Sequence, residues 1–128
     1  MIPHFTRAYR AAAIIAGMRF VTFAAPALSQ DIEVASGETD PILGVSDRMG
    51  APEGGMCDVH RSGLVSIELA GPVSAGDPLT AAVDGRAVLA EAAPGETIRV
   101  GGFADQPGVA GDIIDAWLAP ALLHEPAA

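Results

Sequence analysis

Four residues with donors for a soft metal lie close together in the chain: Met49, Met56, Cys57 and His60. Thioether, thiolate and imidazole ligands would suit copper(I). Side chains alternate along an extended strand, however, so Cys57 and His60 point to opposite faces, which hinders joint ligation. The same alternation opposes a Cys–His nucleophile, which needs contact in space and a third, orienting group. Met56 and Cys57 therefore read as packing residues. The string from Gly71 to Gly76 has the wrong spacing for a nucleophile elbow. Asp112 and Asp115 form a nominal carboxylate pair, but they read as solvated turn and strand acids. Gly101-Gly102 is followed by neither a Lys nor a helix, so it cradles no phosphate. The residues assemble no active site, and the expectation is a protein that is not an enzyme and holds neither metal nor cofactor.

What must position these residues is one small domain, since the chain has 128 residues. Apolar residues are 50% of it and aromatics 5%, so Ala, Val, Ile and Leu must build the core. There are 16 acidic residues against 7 basic ones, all Arg, and the net charge of -9 opposes any grip on phosphate backbones. Nucleic acid is excluded as a partner on that ground. Cys57 stands alone, which excludes an internal disulfide and a multi-thiolate zinc site. No stretch reaches the roughly 18 uncharged apolar residues of a membrane span, so no membrane partner is expected.

Beyond residue 30 the chain divides into short β-rich pieces: Ile32–Ala35, Ile42–Val45, Met56–His60, Leu64–Leu69, Leu79–Val83, Arg86–Ala90, Thr97–Val100 and Ile113–Leu118. Gly, Pro, Asp and Ser clusters separate them, among them Ser62-Gly63, Gly101-Gly102 and Pro107-Gly108. The pattern predicts an all-β fold, a small compact barrel or sandwich of about eight or nine short strands. Asp84-Gly85 predicts a two-residue type I′ hairpin with positive φ at both positions. A β-branched residue at Gly85 should cost that hairpin roughly 1 kcal/mol or more. Ala-Gly-Asp occurs twice, ending in Gly76-Asp77 and Gly111-Asp112, with Gly reversing the chain and Asp binding nearby N–H groups. The helical candidates are the Ala-rich Thr6–Met18 and the end of the chain, where Pro120 favours a strand instead.

Residues 1 to 30 hold Arg7, Arg10 and Arg19 and no acid, together with the apolar run Ala11–Met18 and the small residues Ala27-Leu28-Ser29. That combination suits a secretory signal cut after Ser29. Arg19 interrupts its apolar segment, and Arg19-Phe20-Val21-Thr22-Phe23 alternates as a strand would.

Read as one ordered string, the chain resembles the capsid cement, or head decoration, proteins of tailed bacteriophages and prophages. The resemblance is carried by Ile42-Leu43-Gly44-Val45-Ser46-Asp47, Asp58-Val59-His60-Arg61-Ser62-Gly63, Gly76-Asp77-Pro78-Leu79-Thr80 and Asp84-Gly85-Arg86-Ala87. Gly102-Phe103-Ala104, Gly108-Val109-Ala110-Gly111-Asp112-Ile113 and Leu118-Ala119-Pro120 continue it, so that it covers about residues 19 to 120. The family's basic-aromatic strand corresponds to Arg19–Phe23, which favours the strand over the signal. The chain departs from the family at Ala70-Gly71-Pro72, where two glycines are common, and in the tail from Ala121.

The resemblance implies an N-terminal arm over 1–18, a β-domain over 19–120 and a C-terminal tail over 121–128. It implies a structural protein on the outer surface of the virion capsid, in the host cytoplasm before assembly. The partner would be the major capsid protein, with a homotrimer as one state before docking. Phe5, Arg7, Tyr9 and Arg10 on the arm are the capsid-binding candidates; Gly76, Asp77, Asp84, Gly85, Gly111 and Asp112 are the structural turns. The rival readings are a secreted or periplasmic β-domain binding a sugar or protein, and a small copper-handling protein.

Overall fold

The computed structural model describes residues 2–127, with side chains from Phe5 onward. Met1 and Ala128, the ends of the expected arm and tail, lie outside them. Nine strands form one curled antiparallel sheet, a half-barrel, and the described residues include no helix. They are β1 (Ile2–Arg10), β2 (Phe20–Phe23), β3 (Ile32–Val34), β4 (Gly44–Ser46), β5 (Met56–Glu68), β6 (Pro78–Ala81), β7 (Ala87–Leu89), β8 (Thr97–Ala104) and β9 (Ile113–His124). The order is β3-β2-β4-β5-β9-β8-β6-β7, with β1 paired to β5 off that path. The all-β class and the strand number are those expected from the turn spacing.

Alternation along β2 divides the interior. Phe20 enters a core with Val45, Val65, Ile67, Leu69, Leu79 and Ile114. Val21 faces a second core, with Tyr9, Ala11, Ile15, Ile32, Cys57 and Val59. The second core explains the N-terminal segment. Residues 6–18, a helical candidate by their alanines, run instead as the end of β1 and a connection bent at 12–13 and 17–18. Bridges tie Ala11 to Ile32 and Ile15 to Ala51. Burial of Tyr9, Ala11 and Ile15 outweighs the small per-residue helix preference of alanine. The expected arm is thus paired with β5 from Ile2↔Leu64 to Arg10↔Met56, and the tail's Ala121–His124 complete β9 against β8.

Two expected turns and one expected strand end are absent because their residues serve another purpose. Gly63 takes φ +95 within β5, and the strand continues through it, joining the two pieces read as Met56–His60 and Leu64–Leu69. At Gly101 a Cβ would sit 2.6 Å from Phe20 Cε1, and at Gly102 it would overlap the Trp117 carbonyl. These glycines permit close packing inside β8 and do not reverse the chain. Pro120 does not end β9 either. The ladder passes from Gly102↔Leu118 to Val100↔Ala121, so Ala119 and Pro120 oppose the single residue Gly101. This is a β-bulge, where the missing proline N–H does no harm.

The β6–β7 hairpin falls where Asp84-Gly85 placed it, but its turn is not the two-residue type I′. Gly85 N–H donates to the Ala82 carbonyl at 3.0 Å and Ala82 N–H to the Arg86 carbonyl at 2.8 Å. Gly85 has φ +81, whereas Asp84 is not left-handed. That is a three-residue loop closing on a left-handed glycine, which needs only one special position. The two Ala-Gly-Asp turns repeat one design. Gly76 and Gly111 have φ +89 and +90. The Asp77 carboxylate accepts from Ser74 N–H at 2.8 Å, and Asp112 accepts from Val109 N–H at 2.9 Å. A bridge between Val73 and Gly108 joins the two turns.

Candidate interaction surface

The residues proposed from the sequence to bind a partner lie on β1, but they do not share one fate. Phe5 is exposed. Arg7 lies 4.9 Å from the centre of the Tyr9 ring and reaches Gln30 Oε1 at 3.5 Å. Arg10 pairs with Asp31 at 3.5 Å. Tyr9 is only 3% exposed and belongs to the core. Its ring meets Phe23 edge-on at 6.3 Å, and its hydroxyl accepts from Arg61 Nη1 at 3.0 Å. Tyr9 therefore positions its neighbours from below, while Phe5, Arg7 and Arg10 remain reachable from outside.

The structure does not bring Cys57 and His60 together. Cys57 is buried in the second core, with its thiol directed at the Asp58 carbonyl. Burial, with the charges of Asp58 and Asp47, pushes the thiol up to about 11, so it is protonated at neutral pH and a poor nucleophile. His60 uses both ring nitrogens elsewhere: Nε2 lies 3.1 Å from Asp47 Oδ1 and Nδ1 lies 3.0 Å from Thr6 Oγ1. With Nε2 protonated, Asp47 accepts and the Thr6 hydroxyl donates, which ties β1 to the loop after β4. Among the described residues, no group of three or more His, Cys, Asp or Glu side chains is arranged to hold a metal ion.

Four charges close the sheet where the β6–β7 turn meets the start of β2. Arg19 lies 3.6 Å from Glu68 and 3.8 Å from Asp84, while Arg86 lies 2.7 Å from Asp84 and 3.5 Å from Glu68. Phe20 N–H donates to the Gly85 carbonyl across the same seam at 2.8 Å.

Sequence reasoning missed a larger feature beside this seam. A hollow of about 630 Å³ is lined by Ile14, Ile15, Val34, Met49, Ala51 and Pro52, with Arg19 and Asp84 on its polar side. Its rim includes Ile14, 75% exposed, and Met49, 87% exposed. The β2–β3 loop lies past the opposite end of β3 from this hollow, beyond the Ala11–Ile32 bridge. There residues 25–30 are all exposed, and Leu28 is the most exposed large apolar side chain among the described residues, at 88%. The loop is closed by Ala24 N–H to the Asp31 carbonyl at 2.8 Å and Ala27 N–H to the Ala24 carbonyl at 2.7 Å. The signal was the uncharged Ala11–Met18 and Ala24–Gln30 segments, which as sequence suit a leader equally well. Elsewhere Phe103 and Trp117 stack at 5.5 Å on paired positions of β8 and β9.

No family model matches the chain, and no curated protein matches it in sequence. Among solved structures, the chain is similar to the N base of the head fiber gp8.5 of bacteriophage phi29. The TM-score is 0.66 at 18% identity, covering 90% of this chain and 93% of that one. At that identity the likeness is one of fold.

Proposed function

We propose that this protein is a structural component of a bacteriophage head, docked on the outer surface of the capsid as a cement or decoration protein. The observation that carries the reading is the shared fold, over nine-tenths of the chain, with the base of a phage head fiber. The ordered motifs from Ile42 to Pro120, which resemble head decoration proteins, support it independently of that comparison.

The physical properties suit the task. A net charge of -9 keeps the protein from packaged DNA, and an external position asks for no affinity there. A protein that binds only the assembled lattice stabilises it by mass action, and many copies turn modest contacts into a large total. The major capsid protein is the partner, and Phe5, Arg7 and Arg10 are the reachable residues of β1 for contacting it. Export after a cut at Ser29 fits less well, because β1 and β2 would go, taking Tyr9, Ala11, Ile15, Phe20 and Val21 from the two cores.

The test is to add the purified chain to expanded heads lacking it and to measure bound copies and the temperature at which the heads rupture. Saturable binding with a higher rupture temperature is expected. Heads that bind no copies, or bind them without any gain in stability, overturn the cement role.

A further inference from the structure

We propose that a second hollow, under Met18 where β4, β5 and β9 meet, binds a carboxylate on a short apolar stem, with Arg48 as its cation. The site is a property of the free chain and does not rest on the head reading.

The fold frames this hollow without filling it. Alternation sends Val65, Ile67 and Ile114 into the first core and leaves Ser66 and Ile113 on the opposite face. Met18 then bridges the two halves of β5. Its N–H donates to the carbonyl of Ser46, which is paired with Val59, at 3.0 Å, and its carbonyl accepts from Glu68 N–H at 3.1 Å. To do so Met18 takes φ +58, a strained backbone for a residue with a Cβ. Beside it Gly17 packs so closely that a Cβ there would overlap the Arg48 carbonyl. Under the bridge lie about 280 Å³, lined by Met18, Ser46, Arg48, His60, Ser66 and Ile113.

The polar groups of these walls divide into two sets. Ser46 and His60 are buried and already engaged: Ser46 Oγ donates to the Ala16 carbonyl at 2.8 Å, and His60 meets Asp47 and Thr6. The Arg48 guanidinium and the Ser66 hydroxyl have no partner among the described residues, whereas Arg7, Arg10, Arg19, Arg61 and Arg86 all do. The Arg99 side chain also has none, but the hollow beside it, with Ile42, Pro120, Ala121 and Leu122, offers no second polar side chain. The acids nearby do not occupy Arg48. Asp47 is held by His60, Glu68 lies between Arg19 and Arg86, and Asp115, opposite Ser66, is outside the walls. Two donors call for an acceptor, and the guanidinium fork matches carboxylate and phosphate alike. The walls decide between them. Met18 and Ile113 can cover a short alkyl stem, whereas a phosphate, charged on every side, would be stripped of water against them.

An amide NMR titration of the full chain with sodium butyrate, at constant ionic strength, tests this. Saturation with a Kd of about 1 to 10 mM is expected, with shifts centred on Met18, Arg48, Ser66 and Ile113. Arg48→Gln should weaken binding roughly fivefold or more and Ser66→Ala roughly twofold, while Arg99→Gln leaves it unchanged. Inorganic phosphate should bind roughly fivefold more weakly than butyrate. Thermal midpoints check that each variant is folded. Shifts still linear at about 100 mM butyrate, equal losses in Arg48→Gln and Arg99→Gln, or phosphate binding as tightly as butyrate overturns the proposal. Adding the variants to heads then separates two sources of the carboxylate. Fewer bound copies for Arg48→Gln, but not for Arg99→Gln, assign it to an acidic side chain of the capsid, and equal copies assign it to a free acid. Heads that bind no chain at all count against the head reading alone, because the butyrate titration needs no heads.

Discussion

Gly85 is held by two constraints at once. Its φ of +81 lies in the left-handed region, and a Cβ there would approach the Phe20 carbonyl to 2.9 Å. That carbonyl belongs to the strand whose N–H bonds to Gly85 itself, so neither side can retreat without opening the seam. Gly85→Val is expected to cost about 2 kcal/mol or more in urea unfolding, above the roughly 1 kcal/mol of the backbone conformation alone. Beside it, burial acts to raise the Asp84 carboxyl. Hydrogen bonds from Arg86 and the charges of Arg86 and Arg19 outweigh it and hold the group below its ordinary 3.8. An acid ionised more readily in the folded chain stabilises the fold above its unfolded pKa. The contribution disappears as pH falls through the lower folded value. Thermal midpoints of the parent and Asp84→Asn should therefore differ most at neutral pH and converge below about pH 3.8. Turn chemistry of this kind was legible in the sequence because it is local: Gly76-Asp77 and Gly111-Asp112 need nothing beyond their own four residues. The hairpin's loop length was not, since it depends on how Gly85 meets Phe20 across the sheet.

At the scale of elements, β1 changes how any test of the N-terminal segment must be read. Deleting residues 1–18 removes Tyr9, Ala11 and Ile15 from the second core. Losing single large core side chains costs about 2 to 5 kcal/mol, and a domain has only about 5 to 15 kcal/mol in all. The truncated chain is expected to show no cooperative thermal transition by circular dichroism, whatever its binding. Phe5→Ser, at an exposed position, should stay within about 0.5 kcal/mol of the parent and is the variant that isolates a docking role for β1. The strands that sequence reading shortened, β5, β8 and β9, share one cause. Gly63, Gly101-Gly102 and Pro120 are punctuation by composition, yet long-range pairing carries the chain through each. The apolar hollow and the exposed β2–β3 loop were visible only as composition, in Ala11–Met18 and Ala24–Gln30 respectively. Whether such a run is buried, removed or displayed is decided by the partners that Ile15 and Ile32 find, which no local pattern records.

The whole molecule is a polyanion, and ionic strength acts on its charge both within a copy and at any contact it makes. With 16 acids against 7 Arg, the folded chain holds like charges closer together than the unfolded chain does. The Debye length falls from about 30 Å at 0.01 M to about 8 Å at 0.15 M, so salt relieves that repulsion within a copy and between copies. Raising sodium chloride over this range should increase the thermal midpoint. A contact made chiefly by Arg7 and Arg10 with an acidic partner would respond the opposite way, because the same ions screen its attraction. Binding to heads measured at about 0.01 M and 0.15 M salt should therefore weaken as salt rises if Arg7 and Arg10 carry the contact. Head binding that is unchanged or strengthened by salt would move the contact off the basic residues of β1.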